Sequence, residues 1–495
     1  MKFEGFVGPT YNLKSVNVDS QRCVNLYPEI IESGTGKEGQ AAYLTTTPGL
    51  EKLLNVGTGP IRCVHIDPQG TIFIVSGSQL YRMIYSGSSW TAVLMSVSDI
   101  STFGTSSGRV MAASLNTGAK TQTVFVDGFG SYVYEQSAVY PSGNFATFGA
   151  FGYASVANPT HVVYLDGYFI FIQGNTNQFY VSDINSFVVN PLSFASAEGD
   201  PDDIVAIIAN NRDLWILNER TTELFSNTGN ADFPFERVGG GFVEKGCAAK
   251  YSVAKIEGNV FWLGRDEAGQ GIVYAARGLV PQRISTHAVE ASIKKYADIS
   301  TATAYTYQSG GHSFYVLNFA EGTWVYDLST KMWHERAYTN AGVLERHRAE
   351  NHAFYQPFGI HLVGDYSGNQ VYKLNDDYFS DDGAEITRLR SFPHLSNSSN
   401  RLFCKSLKID MEVGIGLNGI TQGSDPQVML DFSDDGGHTF GNEHWTSVGS
   451  IGEYKKRVYW RRLGSFRDRV FRIKITDPVK VNLIAAEIDI EQGAN

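Results

Sequence analysis

The chain has only four cysteines in 495 residues, Cys23, Cys63, Cys247 and Cys404, far apart and never in a C-x-x-C pair. That spacing indicates neither a zinc site nor a disulfide framework, so buried free thiols are expected. Nowhere do the roughly eighteen uninterrupted apolar residues of a membrane span occur. The opening MKFEGFVGPTYNLK has no signal-peptide apolar run, so synthesis and assembly in a cytoplasm are expected. Charge is sparse at 18%, and 40 basic residues against 51 acidic leave a net charge of −11. A protein that grips nucleic acid concentrates Lys and Arg, and this balance argues against one.

What is abundant is glycine and aromatic surface: 51 Gly, 26 Tyr and 30 Phe, with 42% apolar residues. That composition suits a folded chain of many tight turns and aromatic strands rather than a disordered one. A phrase also recurs, a polar or small residue before an apolar pair that closes on Tyr or Phe. It appears as Gln79-Leu80-Tyr81, Tyr132-Val133-Tyr134, Gln178-Phe179-Tyr180, Glu223-Leu224-Phe225, Gly271-Ile272-Val273-Tyr274, Trp324-Val325-Tyr326 and Gln370-Val371-Tyr372, at intervals of 45 to 53 residues. Upstream of most copies a more apolar run follows a turn residue, at 72–75, 168–172, 214–217, 260–263 and 314–317. Each such pair reads as a hairpin. A period of roughly 40–50 residues is that of the four-stranded blade of a β-propeller, whose inner strands are buried on both faces. Unrelated hairpins in stacked sandwiches are the alternative.

The fold class expected is therefore all-β, a β-propeller of about seven blades over residues 51–385. A separate β-sandwich-like platform over residues 386–495 is joined by an N-terminal segment, residues 1–50, that packs outside the propeller. The platform strands are expected at 406–413, 427–432, 457–463, 470–475 and 483–490. One helix is expected over 286–296, capped by Thr286, with Ala288, Ala291, Ile293 and Tyr296 on its packed face.

Motifs that imitate chemistry are weak in this setting. Gly104-Thr105-Ser106-Ser107-Gly108 matches the G-x-S-x-G elbow, but a strand follows it where a helix is required. Gly414-Ile415-Gly416-Leu417-Asn418-Gly419 matches G-x-G-x-x-G, yet the Gly and Pro beyond it cannot open a phosphate-binding helix. Ser433-Asp434-Asp435-Gly436-Gly437-His438-Thr439-Phe440 matches the Asp-box hairpin of sialidases, a structural turn even there. His347 and His352 flank Glu350 without zinc-protease spacing, and read as surface or hairpin polar residues. The acidic runs at 200–203 and 381–383 read as solvated turns rather than calcium loops. No enzyme activity, cofactor or metal is expected; a carbohydrate-binding or glycan-cleaving propeller is the alternative.

Charge is unevenly placed. Residues 386–495 hold 15 basic and 13 acidic side chains, leaving 25 and 38 for residues 1–385, a balance of +2 against −13. The densest stretch contains Lys455, Lys456, Arg457, Arg461, Arg462, Arg467, Arg469, Arg472 and Lys474, interleaved with Tyr459, Trp460 and Phe466. A protein interface, a DNA contact and solvated strand faces are the three readings.

Gln21-Arg22-Cys23-Val24-Asn25-Leu26-Tyr27-Pro28-Glu29 and then Thr47-Pro48-Gly49-Leu50 resemble the start of the packaged-DNA stabilisation, or tail hub, proteins of short-tailed phages. So do Arg283-Ile284-Ser285-Thr286, Gly364-Asp365-Tyr366-Ser367-Gly368-Asn369-Gln370-Val371-Tyr372 and Arg388-Leu389-Arg390, in that order. The resemblance implies a structural virion protein of the tail that extends the DNA channel and helps retain packaged DNA. It implies a hexameric homo-oligomer, a ring below the portal and adaptor, with tail spikes or fibres outside and a needle or plug closing the channel. Double-stranded DNA would pass without sequence-specific binding. Arg22, Asn25 and Tyr27, with Lys455, Lys456, Arg457, Arg461, Arg462, Arg467 and Arg469, are the candidate interface residues.

Overall fold

A computed structural model describes residues 1–33, 41–95, 102–140, 143–398 and 400–493. Seven antiparallel four-stranded blades run along the chain: 61–94, 111–147, 159–196, 204–243, 254–283, 303–340, and a seventh from 349–375. The seventh blade has only three strands of its own. Its fourth is Gly49–Asn55, which pairs antiparallel with Gln370–Asn375 in the register Gln370↔Asn55 to Asn375↔Gly49. Gly49 fits that place because a side chain there would strike the carbonyls of Tyr378 and Ser380. The expected N-terminal segment is thus corrected at its end, since Gly49 and Leu50 belong to the propeller.

The recurring phrase is the third strand of each blade, and the apolar runs are the second. Second strands are buried on both faces, as in Ile72–Ser76 and His312–Asn318, because blades pack face to face around the ring. Outer strands such as Ser89–Leu94 are largely exposed. The packing closes a circle: separate apolar cores join blade 1 to 2, 2 to 3, 3 to 4, 4 to 5, 5 to 6, 6 to 7 and 7 back to 1. In the last, Leu362 and Val371 of blade 7 meet Ile61, Ile72 and Met83 of blade 1.

The helix is shorter than expected, His287–Ile293, capped by the Thr286 side chain on the Val289 amide. Val289 and Ile293 enter the core between blades 5 and 6.

The platform is a two-layer sandwich. One sheet places Leu26–Ile30 and Ala42–Thr46 beside Asn482–Gln492, Leu402–Met411 and Val458–Arg461. The other contains Arg388–Ser391, Asp468–Ile475, Gln427–Ser433 and His444–Ser447. Phe3, Phe6, Cys23 and Leu26 share one core with Leu407, Phe471 and Ile473, so the N-terminal residues are built into the sandwich. Cys23–Val24 does more. It pairs with both the last strand of blade 6 (Val24↔Glu335) and Arg388–Ser391 (Cys23↔Arg390), making blade 6 and a platform layer one continuous sheet.

Candidate assembly interface

Four of the residues that carry the phage resemblance, Arg22, Asn25, Arg388 and Arg390, lie at the junction of propeller and platform. Asn25 is 2% exposed and has a left-handed backbone, φ +54°. Its amide nitrogen donates to the carbonyls of Ala337 and Thr387, both at 2.9 Å, and its amide oxygen accepts from the Ala337 N–H at 2.9 Å. One side chain therefore joins the N-terminal segment, blade 6 and the platform. Arg22 forms a two-pronged ion pair with Glu335 of blade 6, at 3.0 and 2.6 Å.

Arg390 is fully buried, and among the described residues no carboxylate pairs with it. Its guanidinium donates to the carbonyls of Phe6 (2.7 Å), Gly5 (2.7 Å), Pro9 (3.0 Å) and Arg22 (3.4 Å) and to the Gln21 side chain (2.7 Å). Burial pulls its pKa down. Arg388, also buried, donates to Thr46 Oγ1 at 2.8 Å and to the carbonyls of Asp477 (2.9 Å) and Phe379 (3.1 Å), and burial lowers it to about 10. Alternation in Arg388–Ser391 gave no hint of this, because an arginine in a strand reads as a solvated residue.

Beside them His312 lies between two carboxylates, Nδ1 at 2.8 Å from Asp327 of blade 6 and Nε2 at 2.9 Å from Glu29 of the platform. The Asp327 hydrogen bond leads in raising its pKa. The Tyr27 ring packs edge-on against His312 and Phe314, with centroids 5.2 and 5.3 Å away.

These positions correct part of the expected interface. Asn25 spends its hydrogen bonds inside the chain, and Tyr27 is half-buried with its ring against blade 6. Arg469, 2% exposed, is held by Asp434 at 2.5 and 2.7 Å with its guanidinium 3.9 Å from the centre of the Phe432 ring. Arg472 is likewise paired, to Asp431 at 2.9 and 2.6 Å. Lys455, Lys456, Arg457, Arg461, Arg462 and Arg467 are exposed on the platform, all but Arg461 of them in the turns and loops beside its strands.

The motifs resolve into turns. Thr105 of the G-x-S-x-G match donates its N–H to Asp127 at 2.9 Å, and its carbonyl accepts from buried Arg62 at 2.7 Å. The G-x-G-x-x-G match lies in a loop with no helix after it. In the Asp-box, Asp435 accepts from the N–H groups of His438 (3.0 Å) and Thr439 (2.9 Å) and from the Ser433 hydroxyl (2.6 Å). The Ser433 and Thr439 hydroxyls lead in holding its pKa far below the usual carboxylate range. All four cysteines are free and buried.

Three polar expectations are corrected. His347 is buried rather than superficial, and burial lowers its pKa to about 3. Asp202 is buried and accepts from the Arg220 and Thr221 N–H groups at 2.8 and 3.1 Å. Asp381 is buried and accepts from the Leu50 N–H at 3.2 Å, burial raising it to about 7. For both aspartates a backbone that needs a partner draws the carboxylate inward.

Side chains also cross the propeller axis. Arg109, ahead of blade 2, donates to the Ala304 carbonyl of blade 6 at 3.1 Å. His161 of blade 3 bonds to the Lys250 carbonyl ahead of blade 5 at 2.9 Å and stacks on Tyr251. These blades are not neighbours, so such links span the centre of the ring. Among the described residues no group of three or more His, Cys, Asp or Glu is placed to hold a metal, and no helix is long and apolar enough to cross a membrane.

Two family models cover this architecture, the β-propeller of Bacteriophage P22 Gp10 over residues 12–379 and the β-sandwich of the same protein over residues 387–491. The chain belongs to the P22 Gp10 family. A curated relative, the tail hub protein gp10 of Salmonella phage P22, is 23% identical over 466 residues, 91% of this chain and 92% of the relative. Membership of the Gp10 family makes the chain a structural protein of a phage tail hub, and not an enzyme. Among solved structures, YCF48 from Cyanidioschyzon merolae aligns with a TM-score of 0.41 at 9% identity, over 66% of this chain and 99% of that one. The extracellular domain of a hybrid two component system from B. thetaiotaomicron gives 0.43 at 11%, over 69% and 43%.

Proposed function

We propose that the chain is a nozzle subunit, six copies of which form a ring below the portal and adaptor. The ring extends the DNA channel, helps retain packaged DNA, docks tail spikes or fibres at its outside and receives a needle or plug at its end. Residues 1–50 and 386–495 make the ring, with Arg22 and the exposed platform cations among the contacts. Assembly takes place in the host cytoplasm.

The observation that carries this reading is the continuous sheet through Val24, which makes propeller and platform one lever. Because Arg109 and His161 bridge the propeller axis, the DNA path in this reading runs between copies. The acidic balance of residues 1–385 then suits a duplex that must slide, since each phosphate neutralised by Lys or Arg adds affinity that transit has to break. Images of the tail along its axis, with mass measurement of the isolated ring, test the proposal. Sixfold density and a mass near six times 54.5 kDa are expected. A monomer absent from tails that releases sugar from bacterial surface polysaccharide would replace this reading with the glycan one.

A further inference from the structure

One end of the platform exposes more apolar surface than its own fold uses. Residues 444–461 form a hairpin-like unit bridging the two layers, closed by the Trp460 indole N–H on the His444 carbonyl at 2.8 Å. Its inward residues, Val458 and Trp460, belong to the platform core. Its outward ones do not: Tyr454 is 73% exposed, Trp445 61% and Ile451 55%. The adjoining loop adds a fully exposed Ile420 and backs directly onto this unit, since a Cβ on its Gly416 would lie 3.0 Å from the Ile451 nitrogen. Around these sit the exposed cations Lys455, Lys456, Arg457 and Arg461. Only Lys456 has a nearby carboxylate in the unit, Glu453 at 3.9 Å, while Arg461 lies 4.8 Å above the centre of the Tyr459 ring.

Scattered single hydrophobes on a surface need no explanation, but a cluster rimmed by cations does. Trp, Tyr and Arg are the residues that concentrate binding energy at protein contacts. The sign of the rim selects the partner. Pairing this patch with itself across a twofold axis would set Lys455 and Arg457 of one copy against those of the other. A contact with a different, acidic surface avoids that repulsion, and residues 1–385 of the same chain carry a balance of −13. Head-to-tail contacts of this kind are the ones that close into rings. DNA fits less well, because Ile420 and Ile451 offer nothing to a phosphate and Glu453 opposes one.

We propose that the exposed end of residues 444–461 docks on the acidic propeller of a second copy of this chain, head to tail. The inference rests on the tail hub reading and adds, to the ring made by residues 1–50 and 386–495, a contact from each platform to the neighbouring propeller. Its test places the photo-cross-linker p-benzoylphenylalanine at position 454 or 445 in tails assembled in infected cells. Irradiation is expected to give a band at twice 54.5 kDa that contains only this chain, with 444–461 joined to a peptide from 51–385. Arg457→Glu should cut that yield by about tenfold, the loss of one close charge pair. Cross-links to DNA or to another virion protein, or none from either position while the chain is present in tails, overturn the proposal and leave the tail hub reading intact. Absence of the unmodified chain from tails overturns both.

Discussion

Replacing Arg390 by methionine should release the N-terminal segment from the platform. The guanidinium makes five hydrogen bonds, four of them to the carbonyls of Gly5, Phe6, Pro9 and Arg22. Two effects oppose each other in Arg390→Met. An uncompensated buried charge disappears, which favours the variant, and apolar replacements of complete ion pairs are often neutral for that reason. Here, however, only one side of the network is removed. The carbonyls remain, and each buried acceptor left without a donor costs about 1–3 kcal/mol. Four of them outweigh the relieved desolvation, so a net loss of about 3–5 kcal/mol is expected, the range for breaking a buried charged network. Because three of those carbonyls fall within residues 5–9, which have no strand pairing of their own, the cheapest response is for that segment to peel into water. At about 4 kcal/mol the detached population rises roughly a thousandfold. Trypsin cleavage at exposed Lys14, followed under native conditions, reports this directly, and urea unfolding gives the global loss. Arg390→Lys, with three donors in place of five, should fall between. An unchanged urea midpoint together with unchanged cleavage at Lys14 would refute the reasoning.

Asn25→Ala should destabilise by about 3–4 kcal/mol in urea unfolding, from three lost hydrogen bonds at about 1 kcal/mol each plus the left-handed backbone strain. Asn25→Gly should recover about 1 kcal/mol of that, the strain alone, and equal losses would show that φ +54° is immaterial. Burial raises Asp381 to about 7, above its unfolded value of roughly 3.9, so its contribution is full below the unfolded value and lost as pH rises to 7. Asp381→Asn should therefore gain on the wild type in melting temperature between pH 5 and pH 8; a constant gap would contradict the assignment. Burial raises the pKa of every thiol, Cys247 and Cys404 to about 11 and Cys23 and Cys63 to about 12. The native chain should leave Ellman's reagent colourless and the denatured chain should titrate four thiols, whereas a fast thiol in the native state would place one at the surface.

The parts of the fold that were legible in the sequence are those whose burial repeats. Second strands such as His312–Asn318 are apolar because both faces are covered, and third strands carry the aromatic that fills the gap between blades. First strands did not enter the repeat: Met111–Asn116 reads as a strand only behind the G-x-S-x-G match, Ala254–Ile256 is three residues long, and neither shows the period. The pairing of Gly49–Asn55 with Gln370–Asn375 leaves no local signal, because the partners are more than three hundred residues apart. Charge misled for the same reason. Arg390 and Arg469 look like their solvated neighbours until loops from elsewhere present Gly5, Phe6 or Asp434 to them, and the separation of Arg469 from Arg461 becomes visible only when the strands are placed.

The strand that completes blade 7 also sets the order in which the protein can be made. Gly49–Asn55 leaves the ribosome early and must wait for Gln370–Asn375 before the ring can shut, while Leu26–Ile30 and Ala42–Thr46 wait for Asn482–Gln492. Long-range pairings of this kind are slow to form and leave apolar edges open meanwhile. A chain that ends before Gln370 therefore has neither a closed propeller nor a finished platform, and one that ends before Asn482 still lacks the second. In the proposed ring such a fragment lacks the platform contacts, so only a chain translated through Asn482–Gln492 carries the surfaces that assembly would use.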